Sequence, residues 1–227
     1  MNKKFTELAK KSKVIVIKVG SNILVNEKHV LRKKWLTSLI EDVQKLQKKG
    51  SKIIIVSSGA IALGRNILSK KKLTNLHEKQ AAASIGQIQL SQQWQKAFAK
   101  FNIQSSQILI TAEDLNERRK YLNIRNTIYS LMDLNVVPII NENDTTSTEE
   151  IRFGDNDKLS AMIANALSAE LLILLSDVNG LYTANPKKST DAKLITSVEE
   201  VNQEIEKYID KDLSEFGSGG MLAKINA

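Results

Sequence analysis

The residues able to do chemistry fall in a few short clusters. Lys18 stands inside the apolar run Val14 to Val19, just ahead of Gly20-Ser21-Asn22. Ser57-Ser58-Gly59-Ala60 follows Ile53-Ile54-Ile55-Val56, and Asn141-Glu142-Asn143-Asp144 follows Val136 to Ile140. Gly154-Asp155-Asn156-Asp157-Lys158 precedes a helical apolar stripe, and Ser176-Asp177-Val178-Asn179-Gly180 follows Leu171 to Leu175. Gly217-Ser218-Gly219-Gly220-Met221 lies shortly before Lys224. A Gly-Ser turn that enters a helix points unpaired backbone N–H groups and the positive helix end at an anion, so these pieces suit phosphate. Each alone is equally an ordinary tight turn. The Walker lysine pattern, the dinucleotide fingerprint and the protein-kinase glycine loop are all missing, so a nucleotide would be held by another design.

Two of these clusters carry charge where it is costly. An unpaired ammonium inside an apolar strand is expensive, so Lys18 either snorkels off the sheet end or is held there as a cation for a phosphate. In Asp155-Asn156-Asp157, capping of the following helix accounts for one residue and leaves the others unexplained. Asp144 is either a turn residue bonded to its own backbone or a charge for a ligand. Other chemistries are closed off. The chain has no cysteine and only His29 and His77, which excludes thiol catalysis, disulfide frameworks and Cys-based zinc sites.

The elements that must position these groups follow from hydrophobic period. Buried strands are expected at Val14 to Val19, Ile53 to Val56, Gln107 to Ile110, Val136 to Ile140 and Leu171 to Leu175. Pro138 marks a bulge or a strand end. Helices are expected from Leu31 to Leu46, ended by Gly50; after Ser57-Ser58-Gly59; from about Glu78 to Phe101; through Tyr121, Ile124, Ile128 and Leu131; and through Leu159, Ile163 and Leu167. Non-alternating strands separated by helices predict one α/β domain with an open, mainly parallel sheet sandwiched between helices. In such a sheet, ligands sit beyond the carboxyl ends of the strands, where these clusters fall.

The 227 residues carry 33 Lys plus Arg against 25 Asp plus Glu, a formal charge of +8, with 42% hydrophobic residues. The basic residues are scattered and the 5% aromatics do not interleave with them, so the charge reads as a lysine-rich solvated surface, not a nucleic-acid platform. No apolar run reaches the ~18 residues of a membrane span, and the basic start lacks a signal-peptide core. A cytoplasmic location is expected.

In this order, VIVIKVGSNIL, IIIVSSGAIALG, VVPIINENDTT, FGDNDKLSA, LLILLSDVNGLYTANP and GSGGMLAK resemble the amino acid kinase family over essentially the whole chain. The combination of SSGAIALG, NEND and GDNDKLSA is the specific part, and it resembles the members that act on glutamate. The resemblance implies the amino acid kinase fold and ATP-dependent phosphorylation of the γ-carboxylate of L-glutamate, the first step of proline biosynthesis. Mg²⁺ would be carried with the nucleotide and not by a protein metal site. By position, Lys18 and Lys224 would contact the transferring phosphate, with Asp157 orienting both. Ser58, Asp144 and Asn156 would hold glutamate, with Gly59 and Asn141 lining that pocket. Lys18, Ser176, Asp177, Ser218, Gly219, Gly220, Met221, Leu222, Ala223 and Lys224 would bind ATP. A homo-oligomer, dimer or tetramer, is expected, with no membrane or nucleic-acid partner.

Elementary chemistry agrees with this assignment. A carboxylate nucleophile is already ionised at pH 7 and needs no general base, so the shortage of histidine is no obstacle. Phosphoryl transfer asks for positioning and for positive charge on the moving oxygens, which two lysines and an organising acid supply. Asp144 offers a negative charge for the substrate amine. Departures from the family pattern are Ser57, Ser176 and Ser218 in place of threonine, and Leu222-Ala223 where small hydroxyl residues are common. The expectation is a single amino acid kinase domain over residues 1–227, short after Lys224 and without an RNA-binding-like domain of the PUA type. Two other readings compete. One is a sister kinase acting on another small anion; the other is a non-catalytic ligand-sensing or RNA-associated relative.

Overall fold

The computed structural model describes residues 3–70, 72–147, 155–184, 186, 189–203, 205, 208 and 220–227. Five runs rich in β-branched residues or leucine form β1 (Val14–Val19), β2 (Lys52–Ser57), β3 (Ser105–Ile110), β4 (Val137–Glu142) and β5 (Leu171–Leu175). The helices are α1 (Lys3–Lys11), α2 (Ser21–Leu24), α3 (Lys33–Gln47), α4 (Ala60–Ile67), α5 (Leu76–Ala99), α6 (Ala112–Asn116), α7 (Arg118–Asp133), α8 (Asp155–Ala166) and α9 (Gly220–Asn226). A short antiparallel pair, β6 (Leu181–Tyr182) and β7 (Leu194–Ile195), stands apart. The main sheet runs β3-β4-β2-β1-β5, and every pairing in it is parallel.

Strand geometry sends alternate side chains to opposite faces. Ile15, Ile17 and Val19 of β1, with Ile53 and Ile55 of β2, pack on Leu36 and Ile40 of α3 and on Leu90, Trp94 and Phe98 of α5. Val16, Ile54, Val56 and Ile140 face the other way, onto Ile128 and Met132 of α7 and Leu159 and Ile163 of α8. Each fully buried side chain of this size contributes about 1.5–3 kcal/mol. The same parity puts Lys18 on the α8 side of the sheet. Helices α4 and α5 meet through glycine. A β-carbon at Gly64 would collide with the Ala82 carbonyl, and one at Gly86 with the Ala60 carbonyl, so only hydrogen fits at either crossing.

Several details depart from the sequence reading. Helix α3 starts at Lys33, because Leu31 is held in a bridge to Val25 and the Asn26 side chain accepts from Lys28 and Val30 N–H, closing the turn between them. Pro138 is the second residue of an interior strand, and the ladder from β4 to β2 begins only at Ile139, so its missing N–H interrupts nothing there. Strand β5 is an edge strand and is buried only at Leu171; an apolar run reads alike whether one or both sides are covered. Its approach is tied to β1 by Glu170, whose carboxylate accepts from Val14 N–H (2.6 Å) and Lys13 N–H (2.8 Å). Those bonds, the one from Val14 foremost, hold that carboxyl below its usual range. Helices α1, α2 and α6 and the β6–β7 pair are too short or too polar for the period to show.

Candidate active site

The carboxyl ends of β1, β2, β4 and β5 open on one cavity of about 840 Å³. On its floor, Lys18 leaves β1 toward α8, where Asp157 occupies the first turn with its side chain 2% exposed. Asp157 Oδ1 lies 2.6 Å from Lys18 Nζ, and Oδ2 lies 3.3 Å from Lys224 Nζ on α9. The Lys18 side chain is 8% exposed, so it is buried against its acid and does not snorkel. Gly20 keeps space beside it: a β-carbon there would stand 3.3 Å from the Leu175 carbonyl and 3.7 Å from Lys18 Nζ.

One wall of the cavity is built from amides, a hydroxyl and carboxylates. The turn from β2 into α4 passes through Gly59 at φ 114°, a left-handed conformation that a side chain would strain. That turn is anchored from below, where Trp94 Nε1–H donates to Ser57 Oγ (2.9 Å) and Ser57 Oγ donates to the Ser58 carbonyl (3.2 Å). Asn156 Nδ2 donates to Ser58 Oγ (2.9 Å) and to Asn141 Oδ1 (3.0 Å). Neither Asn156 nor Asp157 spends its side chain on capping α8; both turn inward. Asp144 lines the same wall, half-buried.

Every substrate residue expected from the sequence, Ser58, Gly59, Asn141, Asp144 and Asn156, lines this cavity, together with Lys18, Asp157 and Lys224. Ser176 and Asp177 line it from the end of β5, where Ser176 Oγ donates to Asp177 Oδ1 (3.3 Å). Gly220, Met221 and Ala223 belong to α9, and among the described residues of that helix only Lys224 lines the cavity. Ser218, Gly219 and the side chain of Leu222 lie outside the described residues. Sequence reasoning missed Arg32, Arg65 and Lys79 on the cavity rim, which no motif marks. It also missed Gln87, whose Oε1 accepts from Asn141 Nδ2 (2.8 Å). Among the described residues, no three carboxylate or imidazole groups converge to hold a metal ion. The arrangement can bind an anion against two cations, one buried and one partly buried, and beside it a small molecule through amide, hydroxyl and carboxylate groups.

Residues 13–227 match the amino acid kinase family. The glutamate 5-kinase of Pelagibacter ubique (strain HTCC1062) is 50% identical over 219 residues, which cover 96% of this chain and 60% of that protein. The glutamate 5-kinase of Agrobacterium fabrum (strain C58 / ATCC 33970) is 48% identical over 214 residues, covering 94% of this chain and 55% of that one. The chain thus spans 55–60% of the length of these curated relatives. Among solved structures, an isopentenyl phosphate kinase substrate complex superposes with a TM-score of 0.63 at 15% identity, over 88% of this chain and 84% of that one. The UMP kinase from Bacillus anthracis does so with a TM-score of 0.57 at 17% identity, over 81% and 72%. These two likenesses show the fold.

Proposed function

The chain belongs to the amino acid kinase family, and we propose that within it the chain phosphorylates the γ-carboxylate of L-glutamate from ATP, giving glutamyl 5-phosphate for proline synthesis. One observation carries this reading: the Lys18–Asp157–Lys224 unit, built on a buried ion pair, shares a cavity with an amide, hydroxyl and carboxylate wall. Two ammonium groups held by one acid suit the oxygens of a phosphoryl group in flight, where charge is spread over several atoms. Asp157 fixes their separation before any ligand arrives, so little reorganisation is left for the reaction itself.

The γ-carboxylate arrives ionised, and the protein's task is to aim it. Ser58 Oγ accepts from Asn156 and so keeps its own hydrogen for a substrate carboxylate. Asp144 supplies the charge that a free ammonium requires. A phosphorylated acceptor would instead bring further negative charge to Asp144 and Glu142, both on the cavity wall. Ser176, Asp177 and the segment ahead of Lys224 are assigned to the nucleotide. The residues present fit a phosphate, since Gly20 leaves its space open beside the Lys18 ammonium. Mg²⁺, carried on the nucleotide, supplies further neutralisation of phosphate charge when bound. We also assign the protein to a homo-oligomer, a dimer or tetramer, in the cytoplasm; no helix among the described residues is long and apolar enough to cross a membrane.

The test is ATP-dependent formation of glutamyl hydroxamate in hydroxylamine, with L-glutamate and N-acetylglutamate compared. Turnover of glutamate with rejection of the acetylated substrate is expected, because acetylation removes the positive charge that Asp144 is proposed to meet. Equal catalytic efficiency on the two would overturn the assignment.

A further inference from the structure

We propose that Gln87, on α5, is a positioning residue that, together with the Glu142 backbone N–H, holds the hydrogen-bond polarity of the acceptor wall. The inference rests on the reading of that wall as the glutamate site. Its basis is a relay of side-chain amides in which each member can face only one way. A primary amide has an acceptor end and a donor end, and turning it end for end exchanges the two. Gln87 Oε1 accepts from Asn141 Nδ2 (2.8 Å), which commits the donor end of Asn141 to α5. Asn141 must then show its oxygen to its other neighbours. That oxygen accepts from Glu142 N–H (2.9 Å) and from Asn156 Nδ2 (3.0 Å).

The consequence reaches the cavity at the next residue. Asn156 Nδ2 has two hydrogens, and both are used, one on Asn141 Oδ1 and one on Ser58 Oγ. Asn156 Oδ1 is therefore a pure acceptor; it is buried and has no hydrogen-bond partner among the described residues. A buried acceptor without a donor is unfavourable, and an ammonium group is the donor that best relieves it. Ser58, having accepted from Asn156, is left as a donor, which is what a carboxylate needs. One glutamine outside the cavity lining, acting with the Glu142 N–H on the same asparagine, thus keeps the wall complementary to a zwitterion. Reversing Asn141 would set its NH₂ against the NH₂ of Asn156 and undo both ends at once.

Gln87 is itself held in one sense. Its Nε2 donates to Ser91 Oγ (3.2 Å) one turn along α5 and to Gln107 Oε1 (3.3 Å) on β3. Were Gln87 only a packing residue, its acceptor and donor ends would be interchangeable. The relay says that they are not.

Gln87→Met and Gln87→Glu separate these cases. Methionine keeps the length and removes both the acceptor and the donor; glutamate keeps an acceptor facing Asn141 and loses the donor to Ser91 and Gln107. For Gln87→Met, KM for glutamate should rise about tenfold, the equivalent of one hydrogen bond, while kcat falls less than about threefold. KM for ATP should stay within about twofold, and Gln87→Glu should return KM for glutamate to within about threefold of the parent protein. A second readout needs no substrate: the side-chain NH₂ of Asn141, assigned by nuclear magnetic resonance with Asn141→Asp, should exchange slowly in the parent and in Gln87→Glu, and fast in Gln87→Met. If the exchange pattern holds but glutamate is not turned over, the relay stands and the glutamate reading fails. If glutamate is turned over and Gln87→Met leaves its KM unmoved, or if Gln87→Glu is as impaired as Gln87→Met, the relay fails. Should Gln87→Met not fold, a KM for glutamate raised more than about tenfold in Gln87→Glu overturns the inference on its own.

Discussion

Asp157→Asn removes an anion shared by two ammonium groups, Lys18 buried and Lys224 partly buried. The distances of 2.6 and 3.3 Å to Lys18 and Lys224 correspond to attractions of about 6 and 5 kcal/mol at an effective dielectric of about 20. Desolvation of the three groups cancels much of this, and breaking a buried pair by removing one partner costs about 3–5 kcal/mol. Asparagine keeps an oxygen that can accept from one ammonium, and Lys224, 19% exposed, can turn toward water. Both effects put the expected loss at the lower end, about 3 kcal/mol. Against a domain stability of about 5–15 kcal/mol, the variant should remain folded with a visibly lower midpoint in urea. Inorganic tripolyphosphate should restore more stability to Asp157→Asn than to the parent, because it replaces the missing anion for both lysines. Turnover should drop as well, since two neighbouring ammonium groups lose the group that spaces them. A loss below about 1 kcal/mol, with tripolyphosphate acting equally on both proteins, would refute the idea that these three residues form one charged unit.

Lys224→Met should lower turnover by about a hundredfold with a much smaller loss of ATP affinity, as for removal of one preorganised donor. Combined with Asp157→Asn, it should be far less damaging than the product of the two single losses; strictly multiplicative losses in turnover would show independent roles. Asp144→Ala and Asn156→Ala should raise KM for glutamate far more than KM for ATP, and the reverse pattern would put them in the nucleotide pocket. Gly86→Ala drives a methyl into the Ala60 carbonyl, backbone that cannot swing aside, and should cost at least about 1–3 kcal/mol, read as a fall of several degrees in calorimetry. The Glu170 carboxyl, held low mainly by the Val14 N–H, stabilises the fold fully above the ordinary carboxylate pKa of about 4, and this is lost as pH falls through its lower folded value. The difference in urea midpoint between parent and Glu170→Gln should therefore shrink toward low pH; a constant difference would contradict this.

How much of this was legible in the sequence depends on whether a signal is local. Lys18 announced itself as a charge inside an apolar strand, and the strand's two-residue period already put it on the face of Val16. The clusters Ser57 to Ala60, Asn141 to Asp144 and Asp155 to Asp157 were visible because polar residues crowd at the ends of apolar runs. Strand order was not visible, since parallel neighbours are joined by long crossovers and no local pattern says that β4 inserts between β3 and β2. Nor could spacing tell that Asn156 and Asp157, adjacent on one helical turn, reach different partners, Asn156 to Ser58 and Asn141 and Asp157 to Lys18 and Lys224. Gln87 was hidden most deeply. It belongs to a run of glutamines, Gln87, Gln89, Gln92, Gln93 and Gln95, that reads as the wet face of a helix. Only the contact with Asn141, far away in the chain, sets it apart.

Oxygen labelling tests phosphoryl transfer to the carboxylate most directly. Glutamate carrying ¹⁸O in its γ-carboxylate is incubated with ATP and hydroxylamine, and the released inorganic phosphate is analysed by mass spectrometry. Hydroxylamine attacks the acyl carbon of a glutamyl phosphate and expels phosphate with the bridging oxygen, so each phosphate released should carry one ¹⁸O per hydroxamate formed. Phosphate without label, released at a rate independent of glutamate, would mean that the γ-carboxylate is not the acceptor and that the Lys18–Asp157–Lys224 unit serves some other reaction.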